Sequence, residues 1–354
     1  MLLVRRARRI IRRLRLELWL VEGNEATSEQ PLSVLCAGVG SYLLDLVFAD
    51  SYRKHYAGRV WLWNLSTAVR EKGQGCALAL IGVRDPYVRF VNLANSFFIP
   101  AWVRGEVDIP LGSSVLRSSS VESDIRRIRK HQLHFSITKD PKHFHEFYHH
   151  MYVPYISAVH GQSAFIWPYE VMKTEFDNCE LLLVMKEGQS IAGMLITYAK
   201  PTPRLWSLGV RDADRRHVKE GAVTALFYFS FMHLQKNGYR VADVGLSRPF
   251  LDGGVLRYKK KWEVRIVGTS ADWFVLKLLS FTPGACGFVG SHPFIFRNGD
   301  GLSGAVFVDP AWTSAPEELE RIYRRYSIPG LAKLRLYRLG DVGAVEIDAD
   351  RYRP

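Results

Sequence analysis

Apolar and polar positions change period several times along the chain, and each change marks an element. Val60-Trp61-Leu62-Trp63 predicts a strand, Leu65–Lys72 a helix stopped at Gly73, and residues 76–83 (CALALIGV) and 87–93 two buried strands. Residues 112–120 (GSSVLRSSS) are small and polar and predict a domain boundary. Beyond it, residues 123–130 read as a short basic helix or turn and 133–138 as a strand. Asp140-Pro141 opens a helix expected to run to about Tyr152 and to end at Pro154. Residues 179–186 (CELLLVMK), the turn Glu187-Gly188 and residues 190–198 (SIAGMLITY) form a hairpin pattern. A strand at 204–210 (RLWSLGV), an apolar helix at 221–237 capped by Gly238, a strand at 239–246 and a loop at 247–255 follow. From residue 282 onward Gly/Pro-rich turns lead to a helical Pro316–Tyr326 whose chemistry is unreadable from sequence.

The first residues have a period of their own. Seven arginines from Arg5 to Arg15 alternate with Leu3, Ala7, Ile10, Ile11, Leu14 and Leu18, apolar positions three and four apart, which predicts a basic amphipathic helix. Such helices lie on anionic membranes or nucleic-acid backbone, or simply present a solvated face; a mitochondrial-type presequence shares the composition. Residues 23–31 read as a polar linker. The expected division is therefore 1–30, 31–120, 121–280 and a C-terminal extension at 281–354.

Composition narrows the classes. Of 354 residues 47% are hydrophobic and 23% charged, which excludes global disorder. Lys+Arg number 48 against 35 Asp+Glu, a formal charge of +13 that points to a polyanionic partner: RNA, a nucleotide-bearing cofactor or an anionic membrane face. No apolar run approaches the ~20 residues of a membrane span; residues 274–289 come nearest and are broken by Lys277, Pro283 and Gly284. Cys36, Cys76, Cys179 and Cys286 lie far apart, disfavouring a four-cysteine zinc site or a disulfide framework and fitting a reducing cytoplasm, with the inner membrane face as a peripheral location.

Two local motifs offer chemistry. His145-Glu146-Phe147-Tyr148-His149 fits H-E-x-x-H, the zincin pattern in which two histidines on one helix face bind zinc, with Glu170 or Glu175 as a third ligand. The segment also holds His143 and His150, which makes a chance match easy, and no further histidine motif follows, so no metal is expected. Arg257, Lys259, Lys260 and Lys261 interleave with Leu256, Tyr258 and Trp262. On a strand, Lys260 would share the apolar face while Arg257, Lys259 and Lys261 share the other, where cations neutralise phosphate or a developing oxyanion. No Gly-x-Ser-x-Gly elbow is present.

The order of hairpin, strand, glycine-started helix and strand resembles a GNAT-fold acyltransferase. Residues 126–265 resemble the family that contains Fem-type peptidoglycan-bridge aminoacyltransferases and the acetyltransferase-like proteins of bacterial polysaccharide clusters. The stretches that carry the likeness are Tyr152 with His160-Gly161, Leu182-Leu183-Val184 with Ile191-Ala192-Gly193, Glu220-Gly221-Ala222, and Asp243-Val244-Gly245-Leu246-Ser247-Arg248-Pro249 with residues 252–262 (DGGVLRYKKKW), similar to the family's "D-x-G … G-L-x-x-F-K" ending. The resemblance implies an α+β fold of tandem GNAT-like domains, each a mostly antiparallel mixed sheet flanked by helices, with the second copy better preserved. It implies an N-acyltransferase in which a neutral amine attacks the acyl carbon directly. The donor it favours is aminoacyl-tRNA. The alternative is acyl-coenzyme A, for an N-acetyltransferase of cell-envelope or polysaccharide metabolism, and a non-catalytic RNA- or membrane-binding module is a further reading. No permanently bound cofactor is expected.

The same resemblance distributes roles. Trp206, Ser207 and Leu208 belong to the strand whose amides bind the acyl group. Arg216, Lys219 and Gly221 stand where coenzyme A-binding members carry [QR]-x-x-G-x-[GA], with Lys219 replacing the first glycine; Arg257, Tyr258 and Lys260 complete the donor set. Lys259 is the expected catalytic cation, and Asp243 and His160 the candidates to take a proton from the amine. The acceptor is a glycan, peptide or small-molecule amine.

Overall fold

The computed structural model describes residues 14–161, 164–299, 301–309, 315–339 and 345–347. The chain divides into two units, one made of residues 1–103, 247–257 and 268–354, the other of 104–246 and 258–267. Each is a mixed, mostly antiparallel sheet flanked by helices.

The first unit holds β1 (Arg15–Glu25), β2 (Pro31–Ala37), β3 (Phe48–Trp61), β4 (Leu78–Arg84), β5 (Phe97–Pro100), β13 (Asp272–Leu278), β14 (Phe294–Asn298), β15 (Gly301–Val308), β16 (Lys333–Arg338) and β17 (Val345–Ile347), in the order β17-β16-β15-β14-β5-β13-β4-β2-β1-β3. Both faces of this sheet are covered, which is why residues 76–83 read as one apolar run: Leu78 and Leu80 join one core with Phe294 and Phe296, Ala79 and Ile81 the other with Leu62 and Val275.

Several expectations are corrected here. Residues 281–354 are not an extension, because β14 to β17 hydrogen-bond into the sheet begun by the N-terminal strands. The boundary expected at 112–120 lies at 103/104, and residues 112–120 begin the second unit with the helices Ser113–Leu116 and Ser119–Lys130. Most of the Arg-rich segment falls outside the described residues, but Arg15 and Leu18 are in β1, a strand, since Leu16, Leu18 and Val21 must reach the core. The linker expected at 23–31 is instead the end of β1 (residues 23–25), a tight turn at 26–30 and the first residue of β2. Residues 87–93 begin as a 3-10 turn, Tyr87–Phe90, rather than a strand.

The second unit holds β6 (Val103–Asp108), β7 (His134–Thr138), β8 (Cys179–Lys186), β9 (Gln189–Thr197), β10 (Arg204–Val210), β11 (Val241–Ser247) and β12 (Arg265–Thr269), in the order β12-β6-β11-β10-β9-β8-β7. β7 to β10 are antiparallel, and the helix Ala222–Lys236 carries the chain from β10 to a parallel β11. The β8–β9 turn has Glu187 and Gly188 both at positive φ, as a two-residue hairpin needs. The H-E-x-x-H segment is not one helix. Pro141–Phe147 is α-helical, Tyr148–Tyr152 is a π turn, and Val153–His160 is α-helical again with Pro154 in its first turn. Pro154 starts a helix instead of ending one, because a first-turn residue has no obligatory N–H bond to lose.

That π turn lies against β10. Gly209 pairs with Gly193 of β9, and both present only hydrogen to the helix above. A β-carbon on Gly209 would overlap the backbone of Met151 and Tyr152, and one on Gly193 the Phe147 ring. Gly209→Ala is therefore expected to lower stability by about 1–3 kcal/mol. Gly290→Ala, in a helix with open space around it, should be neutral or slightly stabilising. Thermal unfolding of both variants checks the contrast.

Candidate functional site

Sequence chemistry sets the geometry where β10 and β11 meet. The Asp243 N–H donates to the Pro203 carbonyl at 2.9 Å, and Arg204 beside Asp243 is the one pair of their ladder among the described residues. A continued parallel ladder would next use the Gly245 N–H. That group donates instead to Asp243 Oδ1 at 2.7 Å, and Gly245 turns away at φ +76°, a conformation glycine adopts at little cost. The strands part after one rung. Trp206, Ser207 and Leu208 consequently lie on β10 beyond its last pairing with β11, and the β9–β10 register slips between Leu205 and Ser207, a bulge at Trp206.

Lys259 holds the departing strand from below. Its ammonium donates to the Leu246 carbonyl of β11 at 2.9 Å, and the residue is 5% exposed. Burial pushes its pKa down to about 7, the nearby Arg204 acts in the same direction, and the Asp243 carboxylate opposes both. Arg204 Nε stands 3.8 Å from Asp243 Oδ2 and has no hydrogen-bond partner among the described residues. Asp243 is thus a carboxylate already engaged, on one oxygen by backbone and on its charge by two cations.

This corrects the strand expected for the basic run. Gly254–Lys260 is a helix, so Leu256 and Lys259, three apart, share the buried face, while Arg257 is exposed. Tyr258 packs its ring on Phe227 and reaches Thr224. Lys261 ion-pairs with Asp124. Lys259 is buried and Lys260 half-buried, a difference set by helical rather than strand geometry.

A second cluster forms at the start of the helix Ala222–Lys236. Gly221 precedes it at φ +101°, and a β-carbon there would touch the Arg127 stem at 3.4 Å. Ser123, Arg126, Arg127, Lys130, His131 and Lys219 line a groove of about 400 Å³ beside it. The chain reaches this helix start soon after leaving the parted end of β10, so both features stand at the same end of the sheet. Of the expected donor residues, Lys219 and Gly221 are brought together. Arg216 is not among the lining residues and is paired with Asp214 at 2.8 Å. Sequence reading did not assign Arg126, Arg127, Lys130 and His131. Their signal was the two four-residue spacings, 126 to 130 and 127 to 131, which put four basic groups on adjoining strips of one helix.

His160 ends the helix Val153–His160, and its side chain is outside the described residues. In the H-E-x-x-H segment, His145 hydrogen-bonds to the Tyr169 hydroxyl at 3.2 Å, and Glu146 ion-pairs with Arg211. Among the described residues no group of three or more His, Cys, Asp or Glu side chains is placed to hold a metal.

No family model matches the chain and no curated protein matches it. Solved structures similar to it include the C-terminal domain of an Agrobacterium fabrum protein assigned as a lysylphosphatidylglycerol synthetase, at 13% identity over 77% of this chain and 84% of that one, with a TM-score of 0.38. L-PGS from Bacillus licheniformis overlays at 10% identity over 72% and 80% of the two chains, TM-score 0.37. FemX overlays at 11% identity over 69% and 80%, TM-score 0.37.

The depressed Lys259 pKa has a measurable sign. Between about 7 and the ordinary lysine pKa of ~10.4 the unfolded chain binds a proton that the folded one has lost, so stability rises with pH across that window, falls as pH comes back down through it, and levels off below about 7. Lys259→Met should flatten this rise, which is worth on the order of a few kcal/mol. Thermal unfolding midpoints at several pH values between 6.5 and ~10 read the difference; parallel curves for the two proteins would contradict it.

Proposed function

We propose that the chain is a GNAT-like N-acyltransferase that moves an acyl or aminoacyl group from a phosphate-bearing donor to an amine, with aminoacyl-tRNA favoured over acyl-coenzyme A. The observation that carries this reading is the parting of β10 and β11 after one rung, at the same end of the sheet as a basic groove and a glycine-started helix. Backbone amides beyond the rung, at Trp206 to Leu208, would receive the acyl carbonyl and the oxyanion that forms on it. Lys219, Arg126, Arg127 and Lys130, with the first N–H groups of the helix Ala222–Lys236, would hold donor phosphate. The +13 charge and the Arg5 to Arg15 segment support a nucleic-acid donor, and that segment keeps an anionic membrane face as a second surface.

The chemistry needs no enzyme nucleophile. The amine nitrogen bonds to the acyl carbon, the ester or thioester bond breaks, and the amine's proton ends on the leaving oxygen or sulfur. His160 keeps the proposed role of carrying that proton. Asp243 and Lys259 act as positioning residues, because each is committed to backbone of β11. Arg257, Tyr258 and Lys260 are left without a donor contact in this proposal.

Parallel titration with charged tRNA and acetyl-coenzyme A tests the donor. tRNA binding should saturate and weaken steeply with salt, as counterion release requires. Tight coenzyme A binding without tRNA affinity would reverse the ranking, and absence of label transfer to any amine from either donor would end the enzyme reading. Removing one groove cation, as in Arg126→Met or Lys130→Met, should weaken the donor about tenfold.

Turnover should fall roughly 100-fold in Lys259→Met, with donor affinity kept, whereas Lys260→Met should cost little. Single-turnover kinetics separate these effects; equal losses in both variants would show a diffuse basic patch instead.

A further inference from the structure

Arg248 follows β11 in a segment of the first unit that is pinned on its C-terminal side. The Ile295 N–H donates to the Pro249 carbonyl and the Leu251 N–H to the Pro293 carbonyl, each at 2.8 Å, and Phe250 bridges to Phe294. Its guanidinium is enclosed between two rings, 3.6 Å from the Tyr42 centroid and 3.7 Å from that of Trp102. Both rings are anchored. Tyr42 belongs to the helix Ser41–Val47, whose Leu43, Leu44 and Val47 are buried. Trp102 donates its backbone N–H to Ser270 Oγ at 3.2 Å and accepts from the Ser270 N–H at 3.0 Å.

Stacking occupies the two faces of a guanidinium and leaves its five N–H donors directed outward in the plane. Among the described residues no carboxylate acts on the Arg248 charge; burial pushes its pKa below the usual arginine range, and Tyr42 is the group that opposes this. A stacked arginine of purely structural use normally turns its edge to a carboxylate or carbonyl, because a half-buried cation without one has lost hydration and gained only the two ring contacts. A planar fork held rigid at both faces is also preorganised for an anion that offers two oxygens side by side, and preorganisation lowers the entropic cost of binding.

We propose that Arg248, with Tyr42 and Trp102 as its clamp, is a binding site for a forked oxyanion, the paired oxygens of a phosphate ester or a carboxylate on a small ligand. This site shares no residue with the groove lined by Arg126, Arg127, Lys130 and Lys219 and does not depend on the acyltransfer reading.

The test follows the Arg248 Nε–Hε resonance in protein carrying 15N-arginine, assigned by its loss in Arg248→Lys. Sodium phosphate, glycerol phosphate and sodium acetate are titrated at constant ionic strength against sodium chloride. A saturable shift with the phosphates alone identifies a phosphate ester as the source, one with acetate alone a carboxylate, and one with all three the shared oxyanion chemistry. In Trp102→Leu, with the other arginine resonances unmoved as proof of folding, the affinity read at the same resonance should fall roughly threefold to tenfold. A resonance that moves no further than chloride moves it would overturn the proposal, and an unchanged affinity in Trp102→Leu would remove the clamp from it.

Discussion

The second unit depends on one carboxylate bonding to its own strand. By taking the Gly245 N–H, Asp243 removes the group that would make the next rung to β10, so β11 parts from β10, while keeping its place beside β6, without leaving that N–H unpaired. Gly245 supplies the turn, and Lys259 takes the Leu246 carbonyl one residue later. Two backbone groups that an ordinary sheet would pair across strands are satisfied from within the same side of the site. The opening between β10 and β11 is thus a hydrogen-bonded state of the chain rather than a defect in it, and a buried ammonium is retained because the carboxylate and the carbonyl it serves are both needed.

β10 is constrained from its other side by different physics. The paired glycines Gly209 and Gly193 admit the helical segment 141–160 to backbone contact, and the π turn at Tyr148–Tyr152 follows the surface they leave. Steric exclusion thus sets the direction of β10 while hydrogen bonding sets that of β11. Electrostatics is added last: the basic face of the helix Ser119–Lys130 and Lys219 meet beside the helix start at Gly221.

Local sequence signals carried the second unit well and the first unit poorly, for reasons that can be named. The hairpin at Glu187-Gly188, β10 at Arg204–Val210 and the helix after Gly221 announce themselves through turn chemistry and period. Arg257 to Lys261 did not, because alternating charged and apolar residues fit a strand as readily as a short helix, and the contact that decides between them, Lys259 to Leu246, is thirteen residues away. For Asp243 the sequence left two readings side by side, since a carboxylate that caps its own strand and one that takes a proton look alike there. The first unit was misdivided because its sheet pairs β4 with β13, and no local pattern in residues 78–84 encodes a partner at 272–278.

That pairing has a consequence for the order in which the protein is made. A ribosome delivers β1 to β5 first and then more than a hundred and fifty residues of another unit before β13 emerges to cover the open edges of β4 and β5. During that interval the second unit, whose strands β7 to β10 pair with neighbours in sequence, has what it needs to fold on the tether. The first hundred residues must wait with apolar edges exposed, the situation in which nascent chains recruit chaperones or pair wrongly with one another. The inserted architecture thus makes β4 and β5 wait for a partner strand that is synthesised long after them.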